Sequence, residues 1–137
     1  MNYLKGRNNK FWGHALTAPI IWLPLVAVLL LDILVEFYHQ ICFPIYGIEK
    51  VKRSAYIQIF DRNKLKYLNP LEKMGCMYCG YVNGGLLYFK EIAGRTEKYW
   101  CGIMHEGKPG FITQDDQVKQ DFAAFNDEKD FEEKYLK

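Results

Sequence analysis

The sequence lacks the short motifs that mark common enzyme classes. It has no phosphate-binding loop, no nucleophile elbow, no H-E-x-x-H helix and no dinucleotide-binding glycine pattern. It contains only three histidines, and it has no C-x-x-C-H string for covalent haem attachment. It also has no internal repeat and no RNA-binding signature. These absences favour an accessory protein over an enzyme, with a metal-dependent enzyme as a weaker alternative.

The sequence also lacks a strong net charge, but its charges are unevenly divided. The whole chain of 137 residues carries a formal charge of +2. Residues 1–110 have fourteen Lys and Arg against eight Asp and Glu, whereas residues 111–137 have four against eight. The first part is therefore +6 and the second is −4. Because a basic body attracts anionic headgroups, we expect a lipid bilayer as a partner and no nucleic acid.

One long apolar stretch, ALTAPIIWLPLVAVLLLDILVEFY, runs from Ala15 to Tyr38. As a helix it is long enough to cross the hydrocarbon core of a bilayer. It is too long for a secretory signal, and no small-residue cleavage site follows it. Pro24 predicts a kink or a re-entrant bend. We expect an N-terminal transmembrane or re-entrant helix over residues 15–40, preceded by a basic surface segment over residues 1–14. A hairpin-like insertion with both ends in the cytoplasm is the alternative.

Three ionisable residues near the end of this stretch are spaced to share one helical face. Asp32, Glu36 and His39 follow one another at i, i+4 and i+7. Such groups are costly in a bilayer and usually meet a partner. The spacing predicts polar contacts with another subunit or partner helix. Glu36-x-x-His39 also matches half of a carboxylate-bridged di-iron site, which is the less favoured hypothesis.

Residues 41–69 are predicted to be an interfacial segment with a short β-hairpin. Two β-prone runs, Tyr56 to Phe60 and Leu65 to Leu68, flank the polar string DRNK. Asn69 followed by Pro70 is typical of an N-cap and a first helical position. Residues 85–100 have apolar side chains at helical spacing and predict an amphipathic helix after a turn at Asn83-Gly84-Gly85. Residues 111–137 are predicted to be an acidic amphipathic tail.

The cysteines and one histidine form a C-x2-C-x21-C-x3-H pattern. Four soft or borderline donors satisfy a tetrahedral zinc ion with no open position, which is typical of a structural site. Glycines beside the first pair supply the backbone freedom that a metal knuckle needs. The pattern therefore predicts a small zinc-stapled helical module over residues 70–110, with these ligands: Cys76, Cys79, Cys101 and His105.

Two resemblances accompany this pattern. The string Cys76-Met-Tyr-Cys79-Gly-Tyr-Val82 resembles the first knuckle of rubredoxins, which implies iron in place of zinc and electron transfer. It departs from rubredoxins at the fourth ligand, where they use Cys and this chain has His105. Residues 40–106, with the strings YCGY-x-NG and RTE-x-YWC, are similar to a group of small, uncharacterised bacterial membrane proteins. That similarity implies a bacterial origin.

Together these patterns predict an α-rich membrane protein of the bacterial inner membrane. Six basic residues after the apolar stretch, and thiolates that the cytosol keeps reduced, place the metal module in the cytoplasm. We expect an accessory subunit or assembly factor that binds other integral membrane subunits. Membrane-tethered electron transfer through a rubredoxin-like iron site is the alternative.

Overall fold

The structure is a computed structural model that describes residues 11–136, apart from the side chain of Phe11. The predicted basic segment over residues 1–14 lies mostly outside this range. Within it the chain is mainly helical and contains no β-strand. The helices are α1 (Phe11–Tyr46), α2 (Arg53–Tyr56), α3 (Pro70–Trp100), α4 (Asp115–Lys119) and α5 (Glu128–Tyr135), and a 3-10 turn spans Phe60–Lys64.

Helix α1 is longer than the predicted anchor and continues through all three of its prolines, Pro19, Pro24 and Pro44. The chain therefore does not turn back on itself within the apolar stretch, so the expected re-entrant bend at Pro24 is wrong. The 36 residues of α1 correspond to about 54 Å at the rise of an α-helix. From Leu25 onward the covered residues recur every three or four positions and form one stripe: Leu25, Val28, Asp32, Val35, His39, Cys42, Phe43 and Tyr46.

Helix α3 begins as the sequence predicts but runs much further. The Asn69 side chain accepts a hydrogen bond from the backbone N–H of Glu72 at 2.9 Å, and the Glu72 carboxylate accepts one from the Asn69 N–H at 2.9 Å. This capping box, with Pro70 at the first helical position, confirms the predicted start. The helix then continues for 31 residues, straight through Asn83 and the two glycines that follow it. The predicted turn there is wrong.

Helices α1 and α3 lie side by side and run in the same direction. Near the start, the rings of Trp22 and Tyr78 lie 4.9 Å apart. At the far end, the rings of Tyr46 and Tyr99 stack at 5.1 Å. Apolar side chains between these two contacts form the core: Val28, Phe43, Val51, Tyr88, Phe89 and Ile92. Because the helices are parallel, residues 47–69 must return along the whole length of the pair.

This return segment occupies the place of the predicted β-hairpin, which is wrong. Its backbone N–H groups bond locally instead of to a facing strand: Arg62 donates to the Ile59 carbonyl at 3.2 Å and Leu68 to the Leu65 carbonyl at 3.3 Å. The end of α2 packs against α3, where a Cβ on Gly84 would lie 2.5 Å from the Tyr56 carbonyl oxygen and 3.0 Å from Cα of Ile57.

The acidic C-terminal residues fold back onto the end of α3. The Lys98 ammonium donates to the backbone carbonyls of Gln120 and Asp121. The Tyr135 hydroxyl donates to the Gly102 carbonyl at 3.0 Å, and Gly102 has a positive φ of 63°. Phe122 and Ala123 are buried here. The predicted amphipathic tail is therefore an ordered part of the body, built on α4 and α5.

Candidate functional site

Asp32 and His39 lie on the stripe that faces α3 and the return segment, and Glu36 lies beside it. Asp32 accepts two hydrogen bonds from the Arg53 guanidinium, at 2.5 and 2.6 Å, in a bidentate pair. It also accepts one from the Tyr81 hydroxyl at 2.5 Å. Asp32 is buried, whereas the Arg53 side chain keeps 39% of its surface exposed. This pair joins α1, the return segment and α3 at one point.

A chain of hydrogen bonds through His39 makes a second junction between the same elements. The backbone N–H of Val51 donates to Nε2 of His39 at 2.9 Å, so Nε2 accepts and carries no proton. Nδ1 then carries the proton and faces the Tyr88 hydroxyl oxygen at 3.0 Å. Tyr88 in turn donates to a carboxylate oxygen of Glu36 at 2.8 Å. Every donor meets an acceptor only when His39 is neutral, which fixes its tautomer.

Burial holds the proton on Tyr88. Its ring is fully buried, and that burial, together with the nearby Glu36 carboxylate, raises the pKa of Tyr88 well above its usual range. Burial and Asp32 likewise raise the pKa of Tyr81. The hydrogen bonds that the Arg53 guanidinium donates to Asp32 raise the pKa of Arg53. The phenols therefore stay as donors and the guanidinium stays charged. We call Asp32, Glu36, His39, Arg53, Tyr81 and Tyr88 the polar seam.

The sequence singled out half of this polar seam. The spacing of Asp32, Glu36 and His39 placed them on one face, but the partners they meet here belong to the same chain. Arg53 was counted only within a basic cluster. Tyr81 and Tyr88, seven residues apart on α3, share a face by helical spacing, and that spacing was the signal for them. The described residues contain no group of three or more His, Cys, Asp or Glu placed to hold a metal ion. The di-iron half-site, which needs a second subunit, stays a prediction.

The four predicted zinc ligands do not come together. Cys76 and Cys79 lie within α3, whereas Cys101 caps its far end and His105 follows in the next loop. Twenty-one residues of continuous helix separate Cys79 from Cys101, so the two positions lie about 33 Å apart along the helix. The zinc-stapled module is therefore wrong, because a helix runs through the segment that had to fold back. Zinc or iron as a cofactor stays a prediction, which elemental analysis would test.

The first cysteine pair lies instead beside a hollow of about 640 Å³ between the return segment and α3. Its lining includes three leucines, Leu65, Leu68 and Leu71, together with Tyr67 and Arg62. Cys79 is exposed and Cys76 is half-buried, and both are free thiols. The glycines beside them, Gly75 and Gly80, are part of the helix and supply no knuckle turn.

The outer surface of α1 is apolar and exposed, in contrast to the polar seam. Residues Trp12–Tyr46 form one helix long and apolar enough to cross a membrane. Only 6% of the apolar 18-residue stretch that meets this criterion is buried in the protein. Large apolar side chains project from it along its entire length: Leu16, Ile20, Leu23, Val26, Leu30, Ile33, Phe37, Ile41 and Ile45 are all exposed. A surface of this size on a protein body marks a membrane or protein contact.

Exposed aromatic rings form a separate patch where α1 and α3 end together. Tyr99 stacks on Tyr46, and Trp100 contacts both rings edge-on, at 5.6 Å from Tyr46 and 5.2 Å from Tyr99. Trp100 keeps 66% of its surface exposed. We call Tyr46, Tyr99 and Trp100 the aromatic patch.

Comparisons of the chain with known protein families, with curated proteins and with solved structures give no match.

Proposed function

We propose that this chain is a membrane-anchored accessory subunit or assembly factor of a larger membrane complex. The observation that carries the proposal is the outer surface of α1, whose apolar side chains have almost no cover from the rest of the protein. Lipid acyl chains are the natural environment for such a helix. The anchor then holds a small ordered body, α2 to α5, at the membrane.

The aromatic patch supports a protein partner. Tyrosine and tryptophan are enriched among the residues that dominate binding energy at protein interfaces, since they bury large rigid surfaces and retain a polar atom. Here the three rings of the aromatic patch already pack against one another. A partner that covers them therefore orders few additional side chains, which lowers the entropic cost of binding.

Electron transfer through a rubredoxin-like site has less support. It needs Cys76, Cys79 and Cys101 around one iron ion, and α3 holds the last of these far from the first two. We therefore keep the accessory role as the single proposed function.

The test is purification of the tagged chain from its native membranes in mild detergent after brief cross-linking. We expect a reproducible set of integral membrane proteins to co-purify. Trp100→Ala should reduce their yield about tenfold or more if the patch is an interface hot spot. Tyr67→Ala is the matched control, because Tyr67 is 63% exposed but lies far from the patch. Equal yields from the two variants, or no co-purifying protein at all, would contradict the proposal.

A further inference from the structure

We propose that α1 lies in the plane of the membrane, embedded in one leaflet, and does not cross the bilayer although it is long enough to do so. The partner of its outer surface is thus a single leaflet with its headgroups. This inference rests on the membrane anchoring proposed above and specifies its geometry.

The first argument is the length of the exposed apolar surface. It extends without interruption from Trp12 to Ile45, which is about 50 Å along a helix, whereas the hydrocarbon core is only about 30 Å thick. A helix that crosses the core upright covers about 30 Å of this surface and leaves about 20 Å outside it. If the core begins at Trp12, the part left outside includes Ile33, Phe37 and Ile45, with 67%, 70% and 73% of their surfaces exposed. A helix that lies in the plane can cover all of them with acyl chains.

The second argument is what lies beside the most apolar part of α1. The Tyr78 hydroxyl donates to the Ile21 carbonyl at 2.6 Å, which puts residue 78 of α3 level with residue 21 of α1. Counting back along two parallel helices places Pro70 near the level of Gly13. The return segment reaches Pro70 from Ile59, whose side chain would lie 3.5 Å from a Cβ on Gly80. Residues 59–73 therefore flank α1 between the levels of residues 13 and 24.

This flanking chain is rich in charged side chains, although Phe60, Tyr67 and Leu71 are also exposed in it. It contains six ionisable side chains, Asp61, Arg62, Lys64, Lys66, Glu72 and Lys73. Lys64 and Lys66 are exposed. If α1 crossed the bilayer between residues 12 and 31, these charges would lie at the depth of the acyl chains, where each is costly. In the in-plane arrangement they lie on the aqueous side of α1.

The third argument concerns the polar side of the embedded helix. Helices that lie in a membrane surface usually carry a polar face of their own, and α1 has little of one before Asp32. Here the charges come from the return segment and the first turn of α3, residues 59–73, which lie level with this part of α1. The return segment, residues 47–69, has six Lys and Arg against two Asp and Glu, and its +4 charge favours anionic headgroups. A helix about 10 Å wide also fits within one leaflet of about 15 Å.

The experiment is side-specific labelling of single cysteines in right-side-out and inverted membrane vesicles with an impermeant maleimide. Cys42, Cys76 and Cys79 are replaced by alanine or serine, and the native Cys101 serves as the reporter for the body, since it is exposed. Two further reporters replace Cys101 as well: Gly13→Cys, where an added Cβ meets nothing within 4 Å, and Lys66→Cys, at an exposed position. The in-plane arrangement predicts that all three react in the same vesicle orientation.

A crossing helix gives a different pattern. Gly13→Cys would then react in the opposite vesicle orientation from Cys101, Lys66→Cys would react in neither, and the proposal would be overturned. If the cysteine variants do not fold, trypsin added to vesicles of the unaltered chain gives the same decision, because it should cleave at Lys64 or Lys66 only when they face water. Loss of the chain from membranes in urea and high salt would instead contradict the anchoring itself, whatever the labelling pattern.

Discussion

The two halves of α1 belong to one unbroken helix but contact the rest of the protein in different ways. Residues 12–31 expose large apolar side chains and touch α3 mainly through Trp22 and Val28. Residues 32–46 contain Asp32, Glu36 and His39, and each of these is hydrogen-bonded within the chain. The comparison teaches that helix continuity does not imply one environment: both halves expose an apolar outer surface, but only the second also has ionisable side chains that bond it to the rest of the protein.

The second half of α1 should lose most stability when the return segment is displaced from α3. Gly84→Ala places a Cβ 2.5 Å from the Tyr56 carbonyl oxygen, so the backbone must shift. We expect a loss of about 3 kcal/mol in the free energy of unfolding, at the upper end for overpacked sites. Chemical unfolding in detergent, followed by circular dichroism, measures it.

Gly75→Ala is the control for that substitution. Its added Cβ meets nothing within 4 Å, so the better helix propensity of alanine should leave stability unchanged or raise it by up to about 1 kcal/mol. A loss at Gly75 as large as that at Gly84 would show that any methyl group added to α3 destabilises the protein, and that the close contact with the return segment does not decide the result.

Removing the buried carboxylate should have the next largest effect. Asp32→Ala leaves the Arg53 guanidinium with only Glu36 at 3.7 Å, and leaves the Tyr81 hydroxyl without its acceptor. Broken buried pairs cost several kcal/mol, but Arg53 is partly exposed, and we expect about 2 kcal/mol. Asp61→Ala is the matched control, since Asp61 pairs with Arg62 at the surface and its loss should not be measurable. Equal effects would mean that the polar seam is no better shielded from solvent than the surface.

A smaller loss is expected when one hydroxyl is removed from the polar seam. Tyr88→Phe takes away the donor to Glu36 and the acceptor for His39 while it keeps the buried ring. The cost should be about 1–2 kcal/mol, typical of buried polar groups that lose a partner. Thermal unfolding at neutral pH measures it. A change below the experimental error would indicate that water enters and replaces the hydroxyl.

The same variant should change how stability depends on pH. The pKa of Tyr88 is raised in the folded protein, so the unfolded chain releases its proton first, near the ordinary value of about 10. The folded state then binds more protons, and stability falls as the pH rises above that value. Tyr88→Phe should make the fall shallower between about pH 9.5 and 11.5 without abolishing it, since Tyr56 and Tyr81 also have raised pKa values. If the slope of stability against pH were unchanged, the assignment of part of this pH dependence to Tyr88 would be contradicted.

The smallest effect is expected in the first half of α1. Ile20 keeps 64% of its surface exposed, and Ile20→Ala should change the free energy of unfolding in detergent by no more than about 0.5 kcal/mol. Val28→Ala, one of the few buried positions in that half, should cost about 1–2 kcal/mol because it leaves a cavity against α3. Similar losses at Ile20 and Val28 would show that burial against α3 does not determine the effect of a substitution in this half of α1.

Local patterns predicted what depends on local chemistry. The apolar run of α1 and the Asn69–Pro70 start of α3 follow from composition and capping, and both are present. The glycines of α3 were misinterpreted because glycine is common both in turns and where two parts of a chain pack closely. Gly84 was taken for a turn, but it is small because the return segment passes against it. That contact joins residues far apart in the chain, and no local pattern records it.

The predicted zinc-stapled module was wrong for a related reason. Spacing of Cys76, Cys79, Cys101 and His105 fits a zinc ion only if the chain between the pairs folds back. The intervening residues have strong helical spacing, and α3 forms over all of them. The polar seam was half predicted, since helix geometry put its α1 members on one face, whereas its partners depend on the course of the return segment.

The parallel course of α1 and α3 also bears on how the chain reaches this structure. Each hydrogen bond between them joins residues 49 to 58 positions apart. Closing loops of that length is entropically costly and slow compared with helix formation. During synthesis α1 is complete before any residue of α3 exists, so its apolar side chains have no cover from the protein. If lipid accepts α1 at this stage, the membrane acts as a template on which α3 and the return segment later assemble, and folding begins with insertion.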